Sequence, residues 1–253
     1  MTARIYTDQP LATGLCISLP PVAARHIQVL RMQPGGSVRL FNGMQELEGE
    51  FNATIQSMGR SDVTVLVGDF KPTQHESPRT VHLAVGMPAN ERMDWLVEKA
   101  TELGVASIQP LTTERSVLRL AGERAEKKRL HWHGIAVAAC EQCGRNRVPL
   151  LHAPASLKDW LIARTTETTQ NSERLILSLH ANAHRLVDAV SGAKSVTFKS
   201  FTFLSGPEGG LTPAEEALAT AAGFAPVTLG PRVLRSETAP LACLSVLMLN
   251  ENT

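Results

Sequence analysis

The sequence lacks the features that mark membrane or exported proteins. Its apolar runs stay short of the ~18 residues that a membrane-spanning helix requires, and the N-terminus MTARIYTDQP has no charged-then-apolar signal pattern. We therefore expect a cytoplasmic protein without a membrane partner. Charge is also modest: 19% of the 253 residues are charged and 43% are hydrophobic. This balance predicts a folded chain with a sizeable core, not a disordered one.

Metal-binding patterns are missing as well. The four cysteines are Cys16, Cys140, Cys143 and Cys243. They supply only one C-x-x-C, inside the helical pattern AVAACEQCG, so the second pair of a zinc site is absent. His131 and His133 are two positions apart and would point to different sides of a helix. We predict no metal site and expect reduced, buried thiols.

Phosphate-loop motifs are absent too. The chain contains neither G-x-x-x-x-G-K-[ST] nor G-x-G-x-x-G, and it has no internal repeat. A nucleotide hydrolase or a dinucleotide-dependent enzyme is therefore disfavoured.

Two regions with different patterns follow one another along the chain. Residues 1–72 carry several short β-rich segments and one helical segment, VAARHIQVLRM, which predicts a small β-barrel domain. The polar stretch from Lys71 to Thr80 contains two prolines and is predicted to be a linker. From there, strands and helices alternate, so residues 78–253 are predicted to form an α/β domain with a mostly parallel sheet.

Positive charge is concentrated locally although the net charge is only +1. Between Glu114 and Arg147, eight basic residues outnumber four acidic ones, and the first 45 residues hold four arginines against Asp8 alone. Basic patches of this kind are typical of proteins that contact RNA. A solvated helix face with internal ion pairs is a common cause of the same pattern, so charge alone favours this bland interpretation and leaves RNA binding open.

Two glycine-containing loops lie close together near the C-terminus. The segment SGPEGG, from Ser205 to Gly210, follows the apolar strand FTFL and leads into the capping box TPAE. A second loop, from Leu229 to Arg232, precedes a long apolar helix. Such loops expose backbone groups that can hold a polar ligand. They are also compatible with simple tight turns and a structural ion pair between Arg235 and Glu237.

Four segments together resemble a known family. They are LSGPEGGLTPAEEALATAAGFAPVTLGPRVLRSETA, ACEQCGRNRVP, EKATELGV and HIQVLRMQPGGSVRLFNG. The chain is similar over nearly its whole length to the RsmE family of the SPOUT superfamily, which methylates N3 of uridine 1498 in 16S rRNA. The resemblance implies an N-terminal PUA-like β-barrel, a C-terminal α/β domain with a trefoil knot, S-adenosylmethionine (SAM) as the cofactor, a homodimer, and 16S rRNA of the small ribosomal subunit as the partner.

The resemblance also implies the residues of the cofactor pocket, and the chemistry of methyl transfer suggests candidates for catalysis and RNA contact. The SAM pocket would be formed by Leu179, His180, Gly206, Pro207, Glu208, Gly209, Gly210, Leu229, Gly230, Arg232, Leu234 and Thr238. For methyl transfer to uridine N3, the candidates are Arg235 and Arg145 to stabilise the uridinate anion, with Glu208 or Glu141 to accept the proton. RNA would be contacted by Arg4, Arg25, His26, Arg31, Arg115, Arg145, Asn146 and Arg147.

Two alternatives stay open at this point. The chain could be an RNA-binding protein without catalysis, although the loop glycines and Arg235 argue against this. It could instead be a SPOUT methyltransferase that acts on a different nucleotide, such as a tRNA ribose. Only the resemblance argues against this second alternative.

Overall fold

The computed structural model describes residues 2–44, 48–164, 171–180, 182–191 and 200–249. The chain divides into two compact units. The first consists of Met1–Glu76 and Val137–Val148, and the second of Ser77–Ala136 and Pro149–Thr253. Whether residues 1–72 and 78–253 are domains in their own right stays a prediction.

The first unit is built on a five-stranded sheet with one helix. Its elements are β1 (Ala3–Tyr6), β2 (Cys16–Ser18), α1 (Pro21–Val29), β3 (Ser37–Phe41), β4 (Gly49–Met58) and β5 (Val63–Pro72). The strand order is β1-β3-β4-β5-β2, with β1 parallel to β3 and the other pairs antiparallel. No pairing of β1 with β2 is found in the described part of this unit, so the predicted closed barrel is not confirmed.

Sequence periodicity explains these elements. In β5, Val63, Val65 and Val67 are buried and alternate with more exposed residues, as expected for a strand with one face on a core. Helix α1 begins with Pro21 at its first position, where the missing N–H costs nothing. Its buried Ile27 packs in the same core as the valines.

The second unit alternates strands and helices around a parallel sheet. Its elements are β6 (Thr80–Gly86), α2 (Asn90–Glu102), β7 (Ser107–Thr112), α3 (Gly122–Cys143), β8 (Leu150–Leu151), β9 (Ala155–Ser156), α4 (Leu157–Arg164), β10 (Ser172–Leu177), β11 (His184–Arg185), α5 (Leu186–Ser191), β12 (Ser200–Ser205), α6 (Pro213–Ala221), β13 (Ala225–Thr228) and α7 (Thr238–Met248). The last turns of α3, from Val137, belong to the first unit.

The sheet order is β11-β13-β10-β12-β6-β7-β8, with β9 also pairing to β7, and all of these pairs are parallel. The predicted α/β fold is confirmed. One core cluster of this unit contains Trp160, Ile176, Leu204 and Phe224. Among the described residues, no helix is both long enough and apolar enough to cross a membrane.

Some local predictions were refined by the structure. Helix α3 starts at Gly122, and Gly144 follows its end with φ 93°. Strand β13 was not predicted, because its four residues contain Pro226 and give only a weak β pattern. The predicted apolar strand FTFL lies within β12.

Candidate functional site

A cavity of about 800 Å³ opens in the second unit where β10, β12 and β13 end. Its wall includes the β10 exit at Leu177–His180, the SGPEGG segment at Ser205–Gly210, and the chain after β13 from Leu229 to Ser236. Ligands in open α/β sheets bind in the crevice at the carboxyl ends of the strands. The two glycine loops therefore meet where a ligand site is expected.

The first glycine loop is folded very tightly. The Gly210 amide donates to the Pro207 carbonyl oxygen at 2.8 Å, and Gly210 has φ 69°, which a side chain would strain. A Cβ on Gly206 would lie 2.8 Å from backbone atoms of Gly210 and Leu211. The predicted capping box is confirmed: the Glu215 amide donates to Thr212 Oγ1, and the Glu215 carboxylate accepts from the Thr212 amide.

Gly86, the last residue of β6, makes room for this loop. A Cβ on Gly86 would lie 2.5 Å from Pro207 Cδ and 2.7 Å from Pro207 N. Real Cβ contacts are essentially never this short, so only glycine allows the loop to lie directly against the strand end. Gly86 was not among the predicted site residues.

Arg92, in the first turn of α2, connects the first glycine loop to the start of α7. Its Nη1 donates to Glu208 Oε1 at 3.0 Å, and its Nε lies 4.0 Å from Glu237 Oε1. Glu208 Oε1 also accepts from the Ala89 amide at 3.0 Å. Although burial opposes ionisation, the backbone hydrogen bonds from Ala89 and Glu208 itself, together with the Arg92 guanidinium, lower the pKa of the Glu208 carboxyl.

Arg115 stabilises the same loop from another direction. Its Nη1 donates to the Gly209 carbonyl oxygen at 2.8 Å. The Glu215 carboxylate, besides capping α6, accepts from the Glu114 amide at 2.8 Å. Arg115 thus holds the backbone of the glycine loop directly, while Glu215 links the start of α6 to Glu114.

Two polar features of the cavity wall were also missed. Glu216 Oε2 accepts from Ser178 Oγ at 3.2 Å and lies 3.0 Å from His180 Nε2. The Ser205 hydroxyl is buried and has no hydrogen-bond partner among the described residues. A buried hydroxyl without a partner is costly, and a ligand in the cavity would remove that cost.

Arg235 lies in the cavity wall and is exposed. Its carbonyl oxygen accepts hydrogen bonds from the Thr238 and Ala239 amides at the start of α7, and these bonds fix the backbone position of Arg235. Glu237 is 7% exposed and its ion pair is with Arg92, so the alternative of a structural Arg235–Glu237 pair is not found in the described part of the chain.

Eleven of the twelve residues predicted to hold a cofactor line this cavity. They are Leu179, His180, Gly206, Pro207, Glu208, Gly209, Gly210, Leu229, Gly230, Arg232 and Leu234. Thr238, the twelfth, begins α7 and is outside the lining. Arg235 and Arg115 line the cavity as well. The structure gives the positions of these residues, whereas the functions assigned to them stay predictions.

The other predicted residues belong to the first unit, where several are paired internally. Arg145 is 6% exposed, and its Nε and Nη2 both donate to Glu76 Oε2, at 3.0 and 2.8 Å. Arg4 Nη2 donates to the Arg145 carbonyl oxygen and to Asn146 Oδ1, and Arg4 Nη1 pairs with Glu50. These contacts hold Arg145 and Asn146 in place within the unit.

Glu141 is also held by the first unit. Its Oε1 accepts from the Tyr6 amide at 3.0 Å, and its Oε2 lies 3.0 Å from His26 Nδ1. Burial raises the pKa of the Glu141 carboxyl, although the Tyr6 amide and His26 partly offset this. Arg147 pairs with Glu48, while Arg25 and Arg31 are exposed.

The thiols conform to the expectation only in part. Cys140 and Cys243 are buried, Cys143 is half-buried, and Cys16 is exposed; all four are free. Burial raises the pKa of the Cys140 thiol to about 12, so it stays protonated.

The sequence pattern of one strand could have identified Arg92 and Gly86 as site residues. Both flank the turn that follows an apolar strand, VHLAVG, and the carboxyl ends of parallel strands meet at one sheet edge. Glu216 and Ser205 had no comparable signal, because a single glutamate or serine beside a loop is too common to single out.

Comparison with known proteins identifies the family of this chain. The family model for the RNA methyltransferase domain matches residues 75–248. The chain is 32% identical to ribosomal RNA small subunit methyltransferase E of Bacillus subtilis, covering 95% of this chain and 93% of that protein. It is 30% identical to the protein of that name in Rickettsia conorii, over 96% of this chain and 93% of the other.

Solved structures show the same similarity. A Legionella pneumophila methyltransferase solved with bound SAM is 37% identical, with a TM-score of 0.88 and 98% coverage of both chains. Ribosomal RNA small subunit methyltransferase E from Neisseria gonorrhoeae, bound to S-adenosyl methionine, is 32% identical, with a TM-score of 0.86 and 98% coverage of both chains. On its sequence and fold, this chain belongs to the RNA methyltransferase domain family, among the ribosomal RNA small subunit methyltransferase E proteins.

Proposed function

We propose that this chain is a SAM-dependent methyltransferase that modifies N3 of one uridine, position 1498, of 16S rRNA. The observation that carries the proposal is the 800 Å³ cavity formed by the two glycine loops at the carboxyl ends of the strands. The family membership and the names of the relatives support an rRNA substrate from the small subunit.

The residues of the cavity fit SAM. Its volume lies within the range of about 300–1,000 Å³ that is usual for small-molecule sites. Gly210 has open space where a Cβ would stand, and the buried Ser205 hydroxyl lacks a partner among the described residues. The Glu216 carboxylate can accept hydrogen bonds from hydroxyl or amino groups. Leu179, Gly206–Gly210 and Leu229–Leu234 would hold the cofactor.

SAM supplies an electrophilic methyl group at a positively charged sulfur. The protein must then favour the anionic form of uridine, because N3 becomes nucleophilic only after losing its proton. The Arg235 guanidinium is exposed in the cavity wall and makes no ion pair with another described residue. We assign it to stabilise the negative charge on O2 or O4 of the uridinate.

Glu208 is better suited to positioning than to proton transfer. Its carboxylate accepts from the Ala89 amide and from Arg92, and its lowered pKa makes it a weak base. We therefore propose that Glu208 fixes the glycine loop. Proton acceptance by Glu141 and anion stabilisation by Arg145 stay predictions, and their pairing within the first unit favours structural functions.

The first unit is the proposed RNA-binding part, with a PUA-like form of its sheet. The exposed Arg25 and Arg31 are its best candidates for phosphate contacts, because neither is paired in the described part of the unit. Arg4, Asn146 and Arg147 make contacts inside the unit, so they are placed to shape its surface.

We further propose the knot and the homodimer that the family resemblance implies. Support for the knot comes from the chain path after β12. Strand β13 pairs with the far side of β10, yet α7, which follows it, packs against β12 and β6. The connection from Leu229 to Glu237 must therefore return past the end of β10. Because the substrate is rRNA, we place the protein in the cytoplasm, where ribosomal subunits assemble.

The test of the function is the methylation state of rRNA. Mass spectrometry of 16S rRNA from cells lacking this chain should show loss of one N3-methyluridine, restored by the wild-type gene. Unchanged N3-methyluridine would refute the proposed substrate, and loss of another methylated nucleotide would assign a different one.

Arg235 can be tested on the purified protein. Arg235→Ala should reduce methyl transfer to small-subunit RNA by about 100-fold or more, since charge stabilisation of this type contributes at least that much. SAM affinity should change little, and Arg124→Ala, which removes an exposed arginine outside the cavity, should leave transfer intact. Full activity of the Arg235→Ala protein would exclude the assigned role.

A further inference from the structure

A row of polar side chains crosses the sheet of the second unit near the amino ends of its strands. Arg174, Thr202, His82 and Ser107 are in register on β10, β12, β6 and β7. In-register residues of neighbouring parallel strands project from the same face of a sheet. Two positions further along, the same register holds Ile176, Leu204 and Ala84, which belong to an apolar core cluster. The polar row therefore lies at the border of an apolar part of this face.

This row forms one wall of a second cavity, of about 410 Å³. His152, Trp160 and Arg164 line the cavity together with the row. Residues of the 800 Å³ cavity do not recur in this lining, so the two are separate sites.

The polar groups of the second cavity are held in defined positions. His82 Nδ1 lies 2.7 Å from Ser107 Oγ, and Arg174 Nη1 donates to the carbonyl oxygens of Arg164 and Ala222 at 2.9 and 3.1 Å. The Arg164 guanidinium lies over the Trp160 ring, 4.1 Å from its centroid. Two guanidinium groups are thus fixed at one cavity by packing and hydrogen bonding.

Hydrogen-bond donors and positive charge dominate the lining. No carboxylate is among the described residues that line it. Trp160 is 5% exposed, and its Nε1, which can only donate, is buried without a partner in the described part of the chain. Burial, with the charge of Arg164, lowers the pKa of both His82 and His152. Both imidazoles are therefore neutral at neutral pH and sit in a positive field.

We propose that this second cavity binds a phosphate group, either as free phosphate or as the monoester of a nucleotide. A phosphate offers several acceptor oxygens and negative charge, which match the two guanidinium groups, the indole N–H and the hydroxyls of this lining. The cavity volume exceeds what one phosphate requires, so a nucleoside monophosphate also fits.

Isothermal titration calorimetry on the full chain tests this proposal, with inorganic phosphate and uridine monophosphate as separate probes. Both should bind saturably, whereas uridine without phosphate should not. Tighter binding of the nucleotide would identify a monoester site, and equal binding would identify a free-phosphate site. Saturable binding of uridine as tight as that of its monophosphate would overturn the proposal, as would no binding of either phosphate.

Variants locate the binding. Arg164→Gln should weaken phosphate binding about tenfold, as expected for the loss of a charged hydrogen-bond donor. Arg124→Gln removes an exposed arginine that lines neither cavity and should have no effect. His152→Gln provides a second lining variant if Arg164→Gln unfolds. SAM affinity should be unchanged in all three, which separates this site from the proposed methylation site. Wild-type phosphate affinity in both Arg164→Gln and His152→Gln would place any binding elsewhere.

Discussion

Replacement of Gly86 by alanine tests whether the glycine loop must lie directly against the end of β6. The added Cβ would lie 2.5 Å from Pro207 Cδ, 2.7 Å from Pro207 N and 3.0 Å from the Gly206 carbonyl carbon. Ordinary contacts begin at 3.4 Å, so the loop must move by about 1 Å. The Pro207 ring cannot turn aside by itself because it is closed onto the backbone.

The cost can be estimated from overpacking in other proteins. Forced backbone shifts of this kind cost about 1–3 kcal/mol, and at this chain length each kcal/mol lowers Tm by about 2–4 °C. Because the loop also lines the 800 Å³ cavity, we expect SAM affinity to fall by about tenfold or more. Thermal unfolding and calorimetric titration with SAM measure the two effects.

Gly134→Ala is the matched control. A Cβ there would meet no atom of the described residues within 4 Å outside its own helix, and Gly134 lies inside α3. This substitution should leave SAM affinity unchanged and stabilise the helix by about 0.5–1 kcal/mol. A Gly86→Ala protein with wild-type Tm and wild-type SAM affinity would show that the loop does not depend on contact with β6.

Three further predictions concern the same unit. Thr212→Ala should lower the free energy of unfolding by about 1 kcal/mol in denaturant titration, because the Glu215 amide loses its acceptor. Arg92→Gln and Glu208→Gln should each weaken SAM binding, and the loss in the double variant should be smaller than the sum of the two single losses, since the two residues share one contact. Burial lowers the pKa of His82, so the unfolded chain binds more protons below the ordinary histidine pKa of about 6.5. Stability should therefore decline as pH falls below that value, less steeply in His82→Gln; an identical slope would exclude His82 as the cause.

Sequence patterns by themselves determined much of the second unit. The apolar runs of β6, β7, β10 and β12 and the alternating helices were enough for a parallel α/β sheet, because buried strands need continuous apolar residues. The capping box at Thr212 also followed from four residues, since a cap depends on local contacts only. Motif resemblance selected twelve cofactor residues, and eleven of them line one cavity of the structure.

Only the tertiary structure decided which charged side chains are exposed to a ligand and which are buried in internal ion pairs. Sequence alone could not distinguish Arg145, buried against Glu76, from Arg235, exposed in the cavity wall, because partners far apart in the chain set that difference. The same holds for the bond from Arg92 to Glu208, which joins residues 116 positions apart. It holds too for the polar row from Arg174 to Ser107, which exists only because four strands align in register. Local pattern therefore determines elements and caps, whereas pairing across the sheet determines the chemistry of the two cavities.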